Sequence, residues 1–148
     1  MKKILLTKGA SALVDNEDFE MLNEHKWYLS FYGYAVRDIG GRKYKVAVPM
    51  HRFLNKTPRG YVTDHINRNK LDNRKANLRS VTGSQNGINR GLNKNNTSGY
   101  KGVYWRKDVG RWAARLKVNY KNIYLGNYNK LNDAIAARKK GEGLYHQI

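Results

Sequence analysis

Apolar and polar positions alternate only over short distances in the first third of the chain. Lys43-Tyr44-Lys45-Val46-Ala47-Val48 repeats with a period of two, and Trp27 to Val36 is rich in β-formers; both predict strands. Gly40-Gly41 supplies a hairpin turn between them. Asn16 to His25 reads differently, because acidic residues crowd its first turn while Phe19, Leu22 and Asn23 follow at helical spacing. A helix is expected there. Residues 1–54 hold no catalytic motif, and their expected task is to complete a core that a small motif alone does not build.

Residues 61–90 predict strand, loop, strand and helix. Tyr61 to Thr63 runs into Asp64-His65, Asn67 to Lys75 is polar loop, and Leu78 to Val81 is a short strand. Thr82 with Gln85 three positions on is a capping-box pattern. The helix it opens places Asn86 and Asn89 on one face. Residues 91–99 are polar and turn-rich and read as a linker. Beyond them lie strands at Tyr100 to Lys107, Arg111 to Val118 and Asn122 to Tyr128, then a helix from Leu131 to Tyr145 with a face of Ala134, Ala136 and Ala137. Gly141 and Gly143 are expected to weaken its last turns. The fold class is α+β: a domain over 1–90, a linker over 91–99, and over 100–148 a small three-stranded antiparallel sheet packed on one helix.

Charge narrows the partner. The 148 residues carry a net charge of +18 with a pI near 10.2. Residues 91–148 hold 12 Lys+Arg against 3 Asp+Glu, and the longer 1–90 hold 17 against 8, so the carboxy-terminal part is the more densely basic. Such a chain attracts polyphosphate. No stretch approaches the roughly 20 apolar residues a membrane span needs, and no Lys-rich amphipathic helix stands out. Cysteine is absent, which excludes disulfides, thiolate zinc sites and cysteine nucleophiles. The first eight residues lack the apolar centre of a secretory signal, so a cytoplasmic protein is expected.

Against that background Asp64-His65, with Asn77 twelve residues later and Asn86 nine beyond, forms a candidate catalytic set. Phosphodiester hydrolysis needs an activated water, stabilised phosphate charge and a stabilised leaving oxygen; one metal and one base supply them. Asp64 offers an anionic oxygen and Asn86 an amide oxygen, which suit Mg²⁺ or Mn²⁺ better than zinc. His65 is positioned to deprotonate water, and Asn77 to accept a hydrogen bond from its other ring nitrogen. Surrounding positive charge is expected to keep His65 neutral. Arg68, Arg74 and Arg79 read equally as phosphate contacts or as solvated loop charge. His51 reads first as structural or DNA-facing and only second as catalytic; His25 and His146 read as structural.

Val62-Thr63-Asp64-His65-Ile66-Asn67, Leu71-Asp72-Asn73-Arg74, Asn77-Leu78-Arg79-Ser80-Val81-Thr82, Gln85-Asn86 and Asn89-Arg90 together resemble the HNH endonuclease motif of phage and intron-encoded homing endonucleases. The resemblance covers about residues 50–90 and implies a ββα-metal (His-Me finger) core. It implies His65 as general base, Asn77 as the residue orienting it, and Asp64 with Asn86 as metal ligands; asparagine in place of the third signature histidine resembles the phage homing branch. Asn86 or Asn89 remains open as the second ligand.

In the carboxy-terminal part Trp112, Ala114, Leu116 and Val118 alternate with Arg111, Ala113, Arg115 and Lys117; Val103, Trp105, Ile123 and Leu125 are expected inward, and Tyr104, Arg106, Asn122 and Tyr124 outward. A face of Arg, Lys, Tyr and Asn suits a DNA groove. Residues 97–146 resemble the Apetala-type DNA-binding domain of plant ethylene-response factors, which implies Tyr104, Arg106, Arg115, Lys117 and Tyr124 in the major groove; Arg111 and Asn122 share their face. Phage endonucleases often join these two modules.

The resulting expectation is a Mg²⁺- or Mn²⁺-dependent endonuclease acting on double-stranded DNA without an organic cofactor, located in the bacterial host cell if phage-encoded. A non-catalytic DNA-binding regulator that keeps the nuclease scaffold is the alternative, and a basic RNA-binding protein the third reading. Target sequence, strandedness of cutting and oligomeric state are not legible.

Overall fold

The computed structural model describes residues 1–41 and 43–146; positions 147 and 148, the end of the expected carboxy-terminal domain, lie outside the described residues. The chain divides into two compact units, Met1–Asn86 and Gly87–Ile148. Both mix helix with small antiparallel sheets.

In the first unit, β1 (Lys2–Leu5) and β2 (Ser11–Val14) form an antiparallel pair with Ile4, Ala12 and Val14 turned inward. The helix expected from the acidic first turn is α1 (Asn16–Asn23). It lays Leu22 on that pair, and the Leu22 carbonyl accepts a 2.8 Å bond from the buried Trp27 indole. The run Trp27 to Val36 does not form one strand. It doubles back as β3 (Tyr28–Leu29) against β4 (Ala35–Ile39), with Gly33 at φ +80° in the turn. The third strand of this sheet, β5 (Val46–Pro49), follows the glycine-bearing connection expected from sequence. A short helix not anticipated from the pattern, α2 (Met50–Asn55), comes next. Six residues are too few for a period of 3.6 to register, yet Met50 and Leu54 are both buried one turn apart.

Strand β6 (Val62–His65) pairs antiparallel with β7 (Leu78–Val81), and α3 (Gly83–Asn89) follows directly. The capping box is realised: Thr82 N donates to Gln85 Oε1 at 2.9 Å and Gln85 N to Thr82 Oγ1 at 3.3 Å. Between β6 and β7, residues 66–77 do not hang in solvent. Leu13 N donates to Leu71 O at 2.7 Å and Asn73 N to Leu13 O at 2.8 Å, so the loop lies along β2 as a parallel bridge. Lys75 fixes its far end, its amide donating to Asp15 Oδ2 and its ammonium pairing with Glu17 and Asp18. The amino-terminal elements therefore hold this loop as well as completing the core.

In the second unit, β8 (Val103–Arg106), β9 (Arg111–Val118) and β10 (Lys121–Tyr128) form an antiparallel sheet in the order β10-β9-β8. Helix α4 (Leu131–Tyr145) packs on one face, with Val103, Ala114 and Ala134 at the centre. The β9–β10 turn is Asn119-Tyr120, both left-handed at φ 45° and 66°. That is one residue earlier than the sequence suggested and is the geometry of a two-residue hairpin. Ser98, in the stretch expected as linker, is buried and donates to Val103 O at 2.7 Å. Trp105 stacks edge-on against its register partner Trp112 at 5.2 Å but stays 43 % exposed, less inward than expected. No helix among the described residues is long and apolar enough to cross a membrane.

Gly141 has a different role from the weakness expected of it. A Cβ there would meet Leu116 at 2.6 Å and Leu125 at 2.9 Å, whereas one at Gly143 would meet nothing within 4 Å. Gly141→Ala should therefore destabilise the second unit by about 1–3 kcal/mol through overpacking. Gly143→Ala should stabilise it by roughly 0.5–1 kcal/mol through helix propensity. Opposite shifts in thermal midpoint are expected; shifts of the same sign would contradict the packing described.

Candidate functional site

Register places the two candidate residues at the end of β6: Asp64 faces Arg79 and His65 faces Leu78 on β7. Both are buried, at 6 % and 5 % exposure. Arg79 approaches Asp64 Oδ2 with Nε and with a terminal nitrogen, each at 2.9 Å. Arg74 makes a two-pronged contact with Asp72, at 2.7 and 2.6 Å. Two of the three arginines considered for phosphate contact are thus engaged by carboxylates of this unit. Arg68, exposed and left-handed at φ 64°, occupies the loop turn after His65.

The His65 imidazole is held by a residue that sequence reasoning left in the loop. Its Nε2 lies 3.1 Å from Asn73 Oδ1, and Asn73 is 1 % exposed. The Asn73 amide nitrogen turns the other way, to the Met50 sulfur at 3.5 Å. With that amide orientation Nε2 carries the proton and Nδ1 the lone pair. Asn77 acts one step removed: its Oδ1 accepts from the Asn67 amide at 2.9 Å, its Nδ2 donates to Asp72 O at 2.8 Å, and its backbone O accepts from Ile66 N at 2.9 Å. It closes the loop whose Asn73 holds the ring. The orienting bond expected of Asn77 is supplied by Asn73 at Nε2. The available signal was Asp72-Asn73 itself, two polar residues that this loop carries into the interior.

His51, on α2, is buried beside His65, with ring centroids 5.0 Å apart and edge-on, and Tyr34 4.8 Å from His51 completes the stack. Burial lowers both imidazoles below their ordinary value, His51 to about 4. For His51 the charge that His65 would carry if protonated, and Arg52, add to the effect. For His65 the Asn73 bond, Asp64 and Asp72 oppose it and Lys70 adds least. Neutrality of His65 is thus a consequence of desolvation, not of the basic surroundings expected to cause it.

Asn86 and Asn89 are half-buried on α3. Among the described residues no group of three or more His, Cys, Asp or Glu is placed to hold a metal ion. The ligands expected from sequence are the buried Asp64 carboxylate, which Arg79 also contacts, and the Asn86 amide oxygen. This set fits a hard, largely hydrated cation such as Mg²⁺, which takes one or two carboxylates and keeps several waters. It does not fit zinc.

The seven candidate DNA contacts share the sheet face opposite α4. Tyr104 and Arg106 stand opposite Ala113 and Arg111, and Asn122 and Tyr124 opposite Lys117 and Arg115. Arg115 lies over the Tyr104 ring at 5.0 Å. Arg106 is paired with Asp108 through two nitrogens. Ala113, expected outward on this face, is fully covered.

The buried His65 thus stands at the end of a two-stranded antiparallel pair, beside a carboxylate, with α3 following the second strand. Residues 53–88, which contain Asp64, His65, Asn73, Asn77 and Asn86, match the family model described as HNH endonuclease. The chain is 36 % identical over 103 residues to an uncharacterized HNH endonuclease of Acanthamoeba polyphaga mimivirus, covering 65 % of this chain and 50 % of that one. It is 42 % identical over 64 residues to Protein 3.8 of Escherichia phage T7, covering 43 % of this chain and 53 % of that protein. The chain thus spans about half the length of these curated relatives. No solved structure matches it significantly.

His51 generates a pH dependence. Its folded value near 4 lies below the 6.5 of the free side chain, so between these values the unfolded chain binds the proton and the folded chain does not. Stability should be fully present above pH 6.5 and fall as pH drops towards 4, by roughly 3 kcal/mol at most. Thermal melts from pH 7 to 4 should show the loss, and His51→Leu should flatten it. An unchanged slope in that variant would remove His51 as its source.

Proposed function

We propose that this chain is a metal-dependent DNA endonuclease of the phage homing type, with an HNH domain that cuts and an Apetala-type carboxy-terminal domain that positions it. The observation that carries the reading is the buried, neutral His65, held at Nε2 by Asn73 beside Asp64, inside the segment that matches the HNH endonuclease family. A ring kept neutral by burial and fixed through Nε2 is what a general base needs near neutral pH. In the proposed reaction His65 takes a proton from water while the water oxygen attacks phosphorus and the bond to the 3′ oxygen breaks. The departing 3′ oxygen takes a proton from solvent water and His65 returns its own to solvent, so the products carry 5′-phosphate and 3′-hydroxyl ends. Asp64 and Asn86 would hold the cation, of which Mg²⁺ or Mn²⁺ fits the donors, and when bound it supplies charge stabilisation at the departing oxygen. Burial excludes bulk water from the imidazole, and Asn73 fixes its ring plane.

The positioning role of the second unit is supported by its exposed sheet face, where Arg111, Arg115 and Lys117 alternate along β9 and Tyr104, Asn122 and Tyr124 flank them. Lysine and arginine supply phosphate contacts, while Tyr and Asn add groups able to meet base edges.

Cleavage of closed plasmid in Mg²⁺ should be abolished by His65→Ala and by EDTA, with duplex binding of His65→Ala within a few-fold of the wild type at the same salt. Retained cutting by that variant would sink the assignment. Asn73→Ala should slow cutting by about tenfold or more, because the ring loses its orienting acceptor; an unchanged rate would show that the Nε2 contact does not serve catalysis.

A further inference from the structure

The turn between β3 and β4 holds two large aromatic side chains out in water on a rigid frame. Phe31 is 98 % exposed and Tyr32 73 %, their rings edge-to-face at 5.5 Å. Three hydrogen bonds close the frame beneath them. Ser30 N donates to Tyr34 O, Gly33 N to Ser30 O, both at 2.9 Å, and Tyr34 N to Ser30 Oγ at 3.1 Å. Single exposed apolar residues are ordinary; an adjacent pair at the tip of an ordered turn is a presented surface.

Its neighbours say what it is presented to. At the foot of the turn the Tyr34 ring lies 6.1 Å from His65 and 4.8 Å from His51. From the β6–β7 loop, Lys70 donates to Tyr32 O at 2.9 Å and sits 4.7 Å over the Tyr34 ring. The tip is therefore tied to the same loop that holds the imidazole. Phe31 is three residues from Tyr34, a separation of at most about 10 Å between α-carbons, or roughly three base steps of duplex. A polyanion drawn to a chain of 29 Lys+Arg against 11 Asp+Glu, with its phosphate at His65, lies within reach of this tip. Aromatic side chains offered to duplex DNA in this manner enter between base pairs and unstack them.

We propose that the Phe31-Tyr32 turn is a wedge that inserts Phe31 between neighbouring base pairs within a few steps of the scissile phosphate, opening the duplex at the site of cutting. The location, though not the insertion itself, rests on reading His65 as the group that meets the phosphate. Opening a base step unwinds the helix and gives the backbone at that step freedom to enter a buried site.

The test uses the full chain and closed-circular plasmid, relaxed in EDTA by a metal-independent type IB topoisomerase with the chain bound, then stripped of protein. Wild type should leave negative supercoils in proportion to bound protein. At matched occupancy Phe31→Ala should lose at least two thirds of them, and Phe31→Trp should keep them. Because Phe31 is almost wholly exposed, none of these substitutions should move the thermal midpoint. No unwinding by saturating wild type, or equal unwinding by Phe31→Ala, overturns the wedge. The catalytic reading fails separately: His65→Ala that still cuts in Mg²⁺ removes it, and unwinding that depends on Phe31 then supports the wedge as a DNA-binding device alone.

Discussion

A twelve-residue loop between β6 and β7 carries Asp72, Asn73 and Asn77 into the interior of the first unit, and the candidate site follows from satisfying them. An unpaired buried polar group costs about 1–3 kcal/mol. Each here has partners: Asp72 binds Arg74 and Asn67, Asn77 binds the Asn67 amide and the Asp72 carbonyl, and Asn73 binds His65 while its backbone joins β2. His65 is thus one member of the network that permits the loop to be buried. Folding and ring orientation are the same set of bonds.

This explains why the chain invests in the amino-terminal elements. A β6–β7 pair with a short helix buries too little to support a dozen mostly polar residues. The exposed edge of β2 gives the loop a backbone partner, Asp15, Glu17 and Asp18 around the start of α1 hold Lys75, and Met50 on α2 underlies Asn73. The chemistry proposed for His65 inherits that support. The same packing removes water from two adjacent histidines, so burial is the first cause of their lowered values.

Elements whose signal is local were legible in the sequence: α1 from its acidic first turn, α3 from Thr82 and Gln85, and the three carboxy-terminal strands from their alternation. Asp64 and His65 were legible because they form a spaced pattern with Asn77 and Asn86. What escaped depends on contacts between distant segments. The bend that splits Trp27 to Val36 rests on Gly33 with Lys70 packed against it, 37 residues away. Nothing in a polar loop announces that Asn73 will lie against Met50 and His65, since the partners come from three separate elements. Gly141 looked like a defect in a helix because the leucines it accommodates stand on β9 and β10.

The charge of the chain needs the same distinction between composition and placement. Arg74, Arg79, Arg106 and Arg138 each pair with a carboxylate, as do Lys2 and Lys75. Those ion pairs engage seven of the eleven acidic residues. The acids are consumed as structural partners, chiefly of arginine, whose planar fork suits two-pronged carboxylate contacts. The net positive field therefore belongs to the remaining surface lysines and arginines, side chains whose contacts with phosphate carry little sequence information. In the proposed DNA-positioning role, discrimination between sequences falls to groups with directional bonding or a flat ring. On the carboxy-terminal sheet these are Arg115 over Tyr104, with Asn122 and Tyr124 beside Lys117. Under the proposed function, attraction spread so widely supplies most of the affinity, and the choice of site falls to that one face.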